Sequence, residues 1–354
     1  MRYKVAIVGA GIGAAHLDGY LANPDLFDVT VIGDLDAERA APLVARSGAA
    51  YVPSLDDLVG RGDVDIIDIC LPPKLHKSAI LAGLAADKHV VCEKPLVGSL
   101  ADLDEVEEAA TRAGRLVVPV FQYRFGRGIE QLVHLMDRGL AGRPLVATLE
   151  THWNRDAAYY AVPWRGKWES ELGGAIVSHA IHIHDLLVRV LGPVKSVQAK
   201  LATSVNPIEV DDCAAIIMET ESGALVTSSV TLGSADDRSR LRFCFSDLSA
   251  ESGFEAYNPG TSPWTFQARA PATQAAVDEV LLDCAPAQER FARQFALMHA
   301  AITDAVSPPV ELADARRSLE LITAIYESNA KGMAIDLPLN CNAPGYHGWR
   351  SDAG

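Results

Sequence analysis

Residues 65–95 read DIIDICLPPKLHKSAILAGLAADKHVVCEKP, and this stretch decides the fold. An apolar run is followed by a proline turn, a helical stretch and a second apolar run, which is the order of a strand–helix–strand unit. The second run ends on Glu93-Lys94-Pro95, a charged pair that is out of place in a segment serving only the core. Ligands of open parallel sheets bind outside the carboxyl ends of the strands. Lys94 is therefore predicted to lie where chemistry occurs.

The start of the chain predicts what binds beside that lysine. A buried-strand pattern at 3–8 leads into GAGIGA at 9–14, and a second strand pattern at 28–33 ends at Asp34. This is the G-x-G-x-x-G/A fingerprint in its context of strand, turn and helix. Glycines allow a tight turn and the close approach of a pyrophosphate, whose charge the helix N-terminus stabilises. The pattern predicts a dinucleotide-binding site that includes Gly9, Gly11, Ile12 and Gly13.

Asp34 bears on which dinucleotide binds. A carboxylate at the end of the second strand hydrogen-bonds the ribose hydroxyls of NAD and repels the 2′-phosphate of NADP. Arg39 lies one helical turn further on and could still reach a phosphate, so NADP stays open as a second cofactor. Asp36 is a rival carboxylate, although its position past the strand end also fits the start of the next helix. The sequence therefore favours NAD over NADP.

Two domains are predicted from the 354 residues. Strand and helix patterns alternate to about residue 121, which predicts a doubly wound parallel sheet of the Rossmann type. Beyond residue 144, long strand patterns follow one another with few helices between them, which predicts an α+β domain with a large, mostly antiparallel open sheet. The expected domains are 1–122 for dinucleotide binding and 123–354 for substrate binding.

Composition excludes several classes of protein. The net charge of −15 argues against binding to nucleic acid or to anionic membranes, both of which need basic patches. Six cysteines without a CxxC pair suggest neither a zinc site nor a disulfide framework. No apolar run reaches the ~18 residues of a membrane span, and the first strand begins too early for a signal peptide. A cytoplasmic protein is expected.

Two clusters in the second half are candidates for substrate binding. The first combines Trp153-Asn154-Arg155 with Tyr160 and Trp164-Arg165, and aromatic faces beside polar donors suit a polyhydroxylated ligand. A surface flap anchored by its aromatic side chains is the alternative. The second cluster is SHAIHIHD at 178–185, where positions 178, 182 and 185 share one face of a predicted helix. No HExxH pattern or suitably spaced partner accompanies these histidines, so no metal site is predicted. A purely structural role in the core is the alternative for His182.

These motifs resemble the Gfo/Idh/MocA family of NAD(P)-dependent oxidoreductases, which includes inositol dehydrogenases and glucose-fructose oxidoreductase. The resemblance covers nearly the whole chain, and the combination of the lysine motif with the histidine motif is its most specific part. The residues that carry it are the fingerprint at 9–14, Pro72-Pro73-x-x-His76, Glu93-Lys94-Pro95, Gly173-Gly174, His182-x-x-Asp185 and Leu337-Pro338-Leu339.

The resemblance implies roles for individual residues. Lys94 and His182 become the catalytic pair, and the second domain becomes the oligomerisation domain of a homodimer or homotetramer. The cofactor site gains Leu71, Pro72, His76, Glu93 and Lys94. The substrate site becomes Arg124, Trp153, Asn154, Arg155, Tyr160, Trp164, Arg165, Ser178, His179 and Asp185.

Two departures from the family pattern stand out. His16 follows Gly9 one residue sooner than the family's usual histidine, which makes the fingerprint compact. Ser178 occupies the position four residues before the histidine where the family usually has an aspartate. This change leaves room for His179 or Asp185 to contribute to catalysis.

The expected reaction is hydride transfer between the nicotinamide and a secondary alcohol or hemiacetal of a sugar, sugar acid or cyclic polyol. Such a reaction needs a general base for the hydroxyl proton. His182 is one candidate, with Lys94 stabilising the developing alkoxide, and Lys94 with a lowered pKa is the other. Two alternatives remain: an oxidoreductase that recycles a tightly bound NAD(P), giving net isomerisation or transfer, and a non-catalytic dinucleotide-sensing regulator.

Overall fold

The computed structural model describes residues 1–261, 263–285 and 287–350. The chain divides into two compact units, one formed by Met1–Gln122 with Gln288–Arg316 and the other by Tyr123–Ala287 with Arg317–Gly354. The first unit thus includes a stretch, 288–316, that the sequence analysis assigned to the second domain.

The first unit is built on a parallel sheet. Its strands are β1 (Tyr3–Val8), β2 (Phe27–Gly33), β3 (Ala50–Val52), β4 (Ile66–Ile69), β5 (His89–Cys92) and β6 (Val117–Pro119). The intervening helices are α1 (Gly13–Leu21), α2 (Ala37–Ser47), α3 (Leu55–Val59), α4 (His76–Ala85) and α5 (Leu100–Ala113). All neighbours pair parallel in the order β3-β2-β1-β4-β5-β6. This order confirms the predicted Rossmann sheet and puts its switch point between β1 and β4.

Local signals define these helices well, as α5 illustrates. The Ser99 hydroxyl accepts the Asp102 N–H at 3.0 Å, which caps the first turn. Gly114 ends the helix in the left-handed conformation at φ +61°. The side chains between them that face the core recur at helical spacing: Leu100, Leu103, Val106 and Ala110.

The second unit is built on an eight-stranded sheet. Its helices up to residue 285 are α6 (Arg127–Asp137), α7 (Ala157–Tyr160), α8 (Trp168–Glu171), α9 (Ile181–Leu191) and α10 (Gln274–Asp283). Its strands in this part are β7 (Pro144–Asn154), β8 (Val194–Ala202), β9 (Cys213–Thr220), β10 (Leu225–Thr231), β11 (Gly233–Phe245), β12 (Leu248–Glu251) and β13 (Thr265–Ala268). The chain continues with α11 (Arg290–Asp304), α12 (Leu312–Lys331) and β14 (Ile335–Asp336). The strand order of this sheet is β13-β12-β11-β7-β10-β9-β8-β14. Within the described part of this sheet only the β7–β10 pair is parallel, which confirms the predicted mostly antiparallel sheet.

Helix α11 joins the first unit because its aromatic side chains pack on α1. The Phe295 ring stacks on Tyr20 with centroids 4.2 Å apart, and Phe291 lies 4.5 Å from the ring of His16. All of these side chains are buried in the core that also contains β1 and β4. Burial of large aromatic side chains contributes strongly to the free energy of folding. This contribution explains why α11, although late in the sequence, packs in the first unit.

The segment Trp168–Leu191 is long and apolar enough to cross a membrane when length and composition alone are considered. However, 83% of its most apolar window is buried inside the fold. Burial of this kind is typical of a core helix, which is apolar on all sides because protein surrounds it.

Candidate active site

The predicted fingerprint lies at the carboxyl end of β1. Gly9 has φ +100°, and a Cβ atom there would lie 2.3 Å from the carbonyl oxygen of Cys70. Gly9 is therefore required by both backbone conformation and space. No described atom lies within 4 Å of the position a Cβ would take on Gly11, so its backbone is open to a ligand.

The start of α1 is also available to a ligand. Ile12 occupies the N-cap position, and its apolar side chain makes no capping hydrogen bond to the helix. The first N–H groups of a helix have no partner within the helix, and they carry a partial positive charge. An anionic pyrophosphate satisfies both requirements, so Gly9, Gly11, Ile12 and Gly13 fit a dinucleotide.

Asp34 is buried at the end of β2 and is held by four hydrogen bonds. Its carboxylate accepts the N–H groups of Ala10 at 2.7 Å and Asp36 at 2.9 Å. Two further bonds come from Arg39, whose Nε and Nη2 donate at 3.1 and 2.6 Å. Burial alone would raise the pKa of Asp34, but these donors outweigh it and lower that pKa. Arg39, predicted as a possible phosphate ligand, is thus engaged by the carboxylate, and Asp36 caps α2.

The loops that follow β4 and β5 are joined by a buried histidine. One ring nitrogen of His76 lies 2.8 Å from the carbonyl oxygen of Pro95, and the other lies 2.8 Å from that of Leu71. Burial lowers the pKa of His76. Pro72 directly precedes the 3₁₀ turn Pro73–Leu75, which leads into α4. His76 therefore links the loop after β4, which contains Leu71, to the loop after β5, which contains Lys94 and Pro95.

Lys94 lies at the carboxyl end of β5, at the same edge of the sheet as Gly9 and Asp34. Its side chain is half-buried, and its backbone N–H donates to the Glu93 carboxylate at 3.1 Å. The carboxyl ends of parallel strands form the ligand-binding edge of such sheets. The first unit thus brings the predicted cofactor residues and Lys94 together.

The histidine motif of the second unit begins differently from its prediction. Instead of a continuous α-helix from residue 176, a π-helical turn at Ile176–Ala180 precedes α9. A π turn has a wider spacing than an α turn, so the α-helical spacing used to place Ser178 and His182 on one face does not apply across this turn. Single π turns occur frequently at functional sites.

Asp185 and Arg124, both predicted to bind substrate, form a buried ion pair. The guanidinium donates from Nε and Nη2 to the two carboxylate oxygens at 2.7 and 2.6 Å. His182 lies one turn before Asp185 and stacks on the ring of Tyr123, with centroids 4.3 Å apart. The ion pair and the stack together fix the first turn of α9.

The aromatic and basic cluster predicted at 153–165 is present in the second unit. Arg155 is buried, donates from Nε to His179 Nε2 at 3.3 Å, and lies over the Trp153 ring at 4.9 Å. Arg165 lies 4.0 Å above Tyr159 and 4.4 Å above Trp164, which are cation–π distances. Tyr160 packs edge-on against Tyr159, whereas Asn154 is exposed.

Sequence reasoning missed two members of this cluster. Glu171 is buried and accepts the Ser178 hydroxyl at 2.7 Å and the Gly166 N–H at 2.6 Å. Tyr257 lies against Trp153 and also lies 5.4 Å beneath the Arg155 guanidinium. Neither residue belongs to a periodic pattern or a motif, so no local signal could have identified it.

Two family models match the chain. The first, described as an oxidoreductase family with an NAD-binding Rossmann fold, matches residues 3–121. The second, the GFO/IDH/MocA C-terminal domain, matches residues 129–251. The chain belongs to the Gfo/Idh/MocA family. Its first unit is accordingly an NAD-binding Rossmann domain, which agrees with the open glycine loop and the buried Asp34.

Individual relatives agree with this assignment. The chain is 31% identical to inositol 2-dehydrogenase of Rhodococcus erythropolis over 64% of each chain. It is 33% identical to inositol 2-dehydrogenase 3 of Saccharopolyspora erythraea over 42% of this chain and 44% of the relative. These matches therefore span about half to two thirds of the lengths of the curated relatives.

A solved structure matches almost the whole chain. The WlbA dehydrogenase from Bordetella pertussis, in complex with NADH and UDP-GlcNAcA, is 26% identical. It superposes with a TM-score of 0.84 and covers 96% of this chain and 98% of its own. The similarity thus includes both units.

Proposed function

We propose that this protein is an NAD-dependent dehydrogenase that oxidises a secondary alcohol or hemiacetal of a sugar, sugar acid or cyclic polyol. The observation that carries the proposal is the position of Lys94, at the edge of the sheet that also holds the glycine turn and Asp34. A lysine at that edge has no role in the apolar core. The proposal assigns Lys94 and His182 as the catalytic pair.

NAD, when bound, supplies the acceptor for the hydride. The pyrophosphate would be held by Gly9, Gly11, Ile12 and Gly13. The Asp34 carboxylate would accept hydrogen bonds from the ribose hydroxyl groups. The remaining cofactor contacts are assigned to the loops after β4 and β5, which contain Leu71, Pro72, His76 and Glu93.

The hydroxyl proton of the substrate must leave as the carbonyl forms. We assign its removal to the imidazole of His182, whose ring stacks on Tyr123. The Lys94 ammonium binds the same oxygen and stabilises the negative charge that develops on it. The converse assignment, with Lys94 as the base, is distinguished by the variants described below.

The side chains of the second unit support a polyhydroxylated substrate. Arg155 lies over the ring of Trp153 and Arg165 over that of Trp164, so the cluster combines aromatic rings with hydrogen-bond donors, a mixture that suits a polyhydroxylated ligand. Inositol dehydrogenases among the relatives and UDP-GlcNAcA in the matched structure support the same class. The remaining residues proposed for this site are Arg124, Asn154, Tyr160, Ser178, His179 and Asp185.

We also propose a homodimer or homotetramer in a reducing compartment such as the cytoplasm. Val146 and Leu225 are paired on adjacent strands, and both are largely exposed, as is Ile217 on the next strand. An apolar patch on a sheet favours association with another copy. All six cysteines are free thiols, which suits a reducing environment. Light scattering tests the oligomeric state.

The test of the reaction is absorbance at 340 nm with NAD⁺ or NADP⁺ and a panel of inositols, sugars and sugar acids. Lys94→Ala is expected to abolish NADH formation. Lys88→Ala is the matched control, because Lys88 lies at the opposite end of β5 from Lys94. If His182 is the base, His182→Gln lowers kcat by about 10²–10⁴ while NAD binding is retained.

Two results would contradict the proposal. Full activity of Lys94→Ala would remove lysine from the mechanism, and a loss below about tenfold in His182→Gln would shift the base to Lys94. Tightly bound NAD(P) that copurifies, without net NADH formation on any substrate, would favour the recycled-cofactor alternative.

A further inference from the structure

A chain of buried polar groups runs behind Lys94 within the first unit. It joins three elements, with His16 on α1, Asp68 on β4 and Glu93 directly after β5. His16 Nδ1 lies 2.8 Å from one oxygen of Asp68, and His16 Nε2 lies 3.1 Å from one oxygen of Glu93. The other oxygen of Glu93 accepts the backbone N–H of Lys94 at 3.1 Å. The chain of contacts therefore ends on the peptide that carries the lysine.

The geometry of these contacts bears on the protonation of the two His16 ring nitrogens. A neutral imidazole has only one N–H. Its other ring nitrogen would then face a carboxylate oxygen with no proton between the two atoms, if that carboxylate is ionised. An imidazolium donates to both. Burial alone would lower the pKa of His16, but the facing Asp68 carboxylate outweighs burial and raises that pKa well above its usual range. The two carboxylate contacts and the direction of this shift both favour a doubly protonated His16.

The His16 ring is enclosed by aromatic side chains and lies beside Cys70. Phe291 and Phe295 from α11 lie 4.5 and 5.5 Å from the imidazole centroid, and His16 and Asp68 are fully buried. The other titratable groups near these residues are Cys70, whose thiol lies 3.7 Å from Asp68, Tyr20 and Cys92. Donor atoms of His16, Asp68 and Cys70 lie within 4.8 Å of one another, so a bound metal ion is the competing explanation of the cluster.

We propose that the Asp68–His16–Glu93 chain is the positioning device of Lys94. The hydrogen bonds restrict the backbone conformation at Lys94. The ammonium group is thereby held in the orientation in which it contacts the substrate oxygen. In this proposal His16 and Glu93 act on the reaction through the backbone of Lys94, to which Glu93 is hydrogen-bonded, and they are positioning residues in that sense. The proposal rests on the function proposed above, in which Lys94 acts in hydride transfer.

Two substitutions of Glu93 separate position from charge. In Glu93→Gln, the amide oxygen accepts the Lys94 N–H and the amide NH₂ donates to a neutral His16, whose Nδ1–H still bonds Asp68. Every contact survives with one hydrogen bond reversed. In Glu93→Met, a side chain of similar length fills the space but cannot accept the N–H. A positioning role therefore predicts that the methionine variant loses much more activity than the glutamine variant.

The experiment uses the full-length protein and two readouts. Steady-state kinetics measure kcat and KM for wild type, Glu93→Gln, Glu93→Met and the control Glu105→Met, which removes an exposed carboxylate on α5. Nitrogen NMR of ¹⁵N-histidine-labelled protein reports the protonation of both His16 nitrogens, with the His16 signals assigned from His16→Gln. Reductively ¹³C-methylated Lys94, assigned with Lys94→Ala, reports its environment without any turnover.

The proposal expects two protonated ring nitrogens in wild type and one in Glu93→Gln. It expects kcat of Glu105→Met within about threefold of wild type, and kcat of Glu93→Met at least about tenfold below that of Glu93→Gln, because small misplacements of a catalytic group are costly. The methylated Lys94 signal is expected to shift in Glu93→Met and to stay in place in Glu93→Gln.

Three results would overturn the proposal. They are a neutral or metal-bound His16 in wild type, equal kcat losses in the glutamine and methionine variants, and an unshifted Lys94 signal in Glu93→Met. If wild type oxidises no substrate, the function proposed above fails, whereas the two NMR readouts still decide whether the chain positions Lys94.

Discussion

Acid is expected to destabilise the second unit through one buried histidine, His184. This side chain is 3% exposed, and its Nε2 lies 3.0 Å from the Ser228 hydroxyl oxygen. Burial lowers the pKa of His184 to about 4, whereas an unfolded histidine titrates near ~6.5. The unfolded chain therefore binds the proton first as the pH falls. The stabilisation that neutral His184 contributes is present above pH ~6.5 and is lost between there and pH ~4.

The magnitude follows from the difference between the two pKa values. A difference of about 2.5 units, at about 1.4 kcal/mol per unit, amounts to about 3 kcal/mol once both states are protonated. At pH 5 the folded state is still mostly neutral while the unfolded state is mostly charged. The expected loss in the free energy of unfolding between pH 7.5 and pH 5 is therefore about 2 kcal/mol.

Urea unfolding followed by tryptophan fluorescence measures this loss, because all five tryptophans belong to the second unit. His184→Gln keeps an amide beside Ser228 and removes the titration, so its loss between the two pH values is expected to be about 2 kcal/mol smaller than that of wild type. His152→Gln is the matched control, because His152 is half-buried and bonds the adjacent Ser229 at 2.9 Å. Equal losses in wild type and His184→Gln would refute the reasoning.

Two further variants test the ion pair of the second unit and the cofactor preference of the first. Asp185→Leu leaves the buried Arg124 guanidinium without its carboxylate and is expected to lower the free energy of unfolding by about 3–5 kcal/mol, whereas the double variant with Arg124→Met should recover most of it. Urea titration of wild type, the two single variants and the double variant checks this, and full additivity of the two single changes would contradict it. Asp34→Ser removes the carboxylate that repels a 2′-phosphate and releases Arg39, so kcat/KM for NADP⁺ relative to NAD⁺ should rise by about tenfold or more. An unchanged ratio would show that Asp34 does not select the cofactor.

The first unit was largely predictable because its signals are local. The turn at Gly9 needs a positive φ, and the end of β2 is marked by a carboxylate, so residue type alone reveals both. The membership of α11 was not predictable in this way. Its pattern of apolar residues indicates a helix with one buried face, but nothing in that pattern specifies that Phe295 packs on Tyr20. Partners separated by more than 250 residues are chosen by packing, which a local pattern does not encode.

The second unit shows a different limit of sequence reasoning. The aromatic and basic cluster was visible as a composition, and its members do pack around Arg155 and Tyr159. The π turn before α9 was not visible, because the residues IVSHA suit an α-helix equally well. With the turn in place, the Ser178 hydroxyl donates to Glu171, a carboxylate on a separate short helix. A missing acidic residue in a motif therefore does not imply that the site lacks a carboxylate.

The charged pair at the end of β5 is now explained by what surrounds it. His16 from α1 contacts the Glu93 carboxylate on one side, and His76 from α4 contacts the carbonyl oxygen of Pro95 on the other. Two buried imidazoles from different helices thus contact the residues on either side of Lys94. A buried carboxylate is costly unless it is hydrogen-bonded, and Glu93 contacts both the His16 ring and the Lys94 N–H. The same contacts that make Glu93 tolerable in an apolar strand end also restrict the lysine beside it, so stability and the position of Lys94 depend on the same hydrogen bonds.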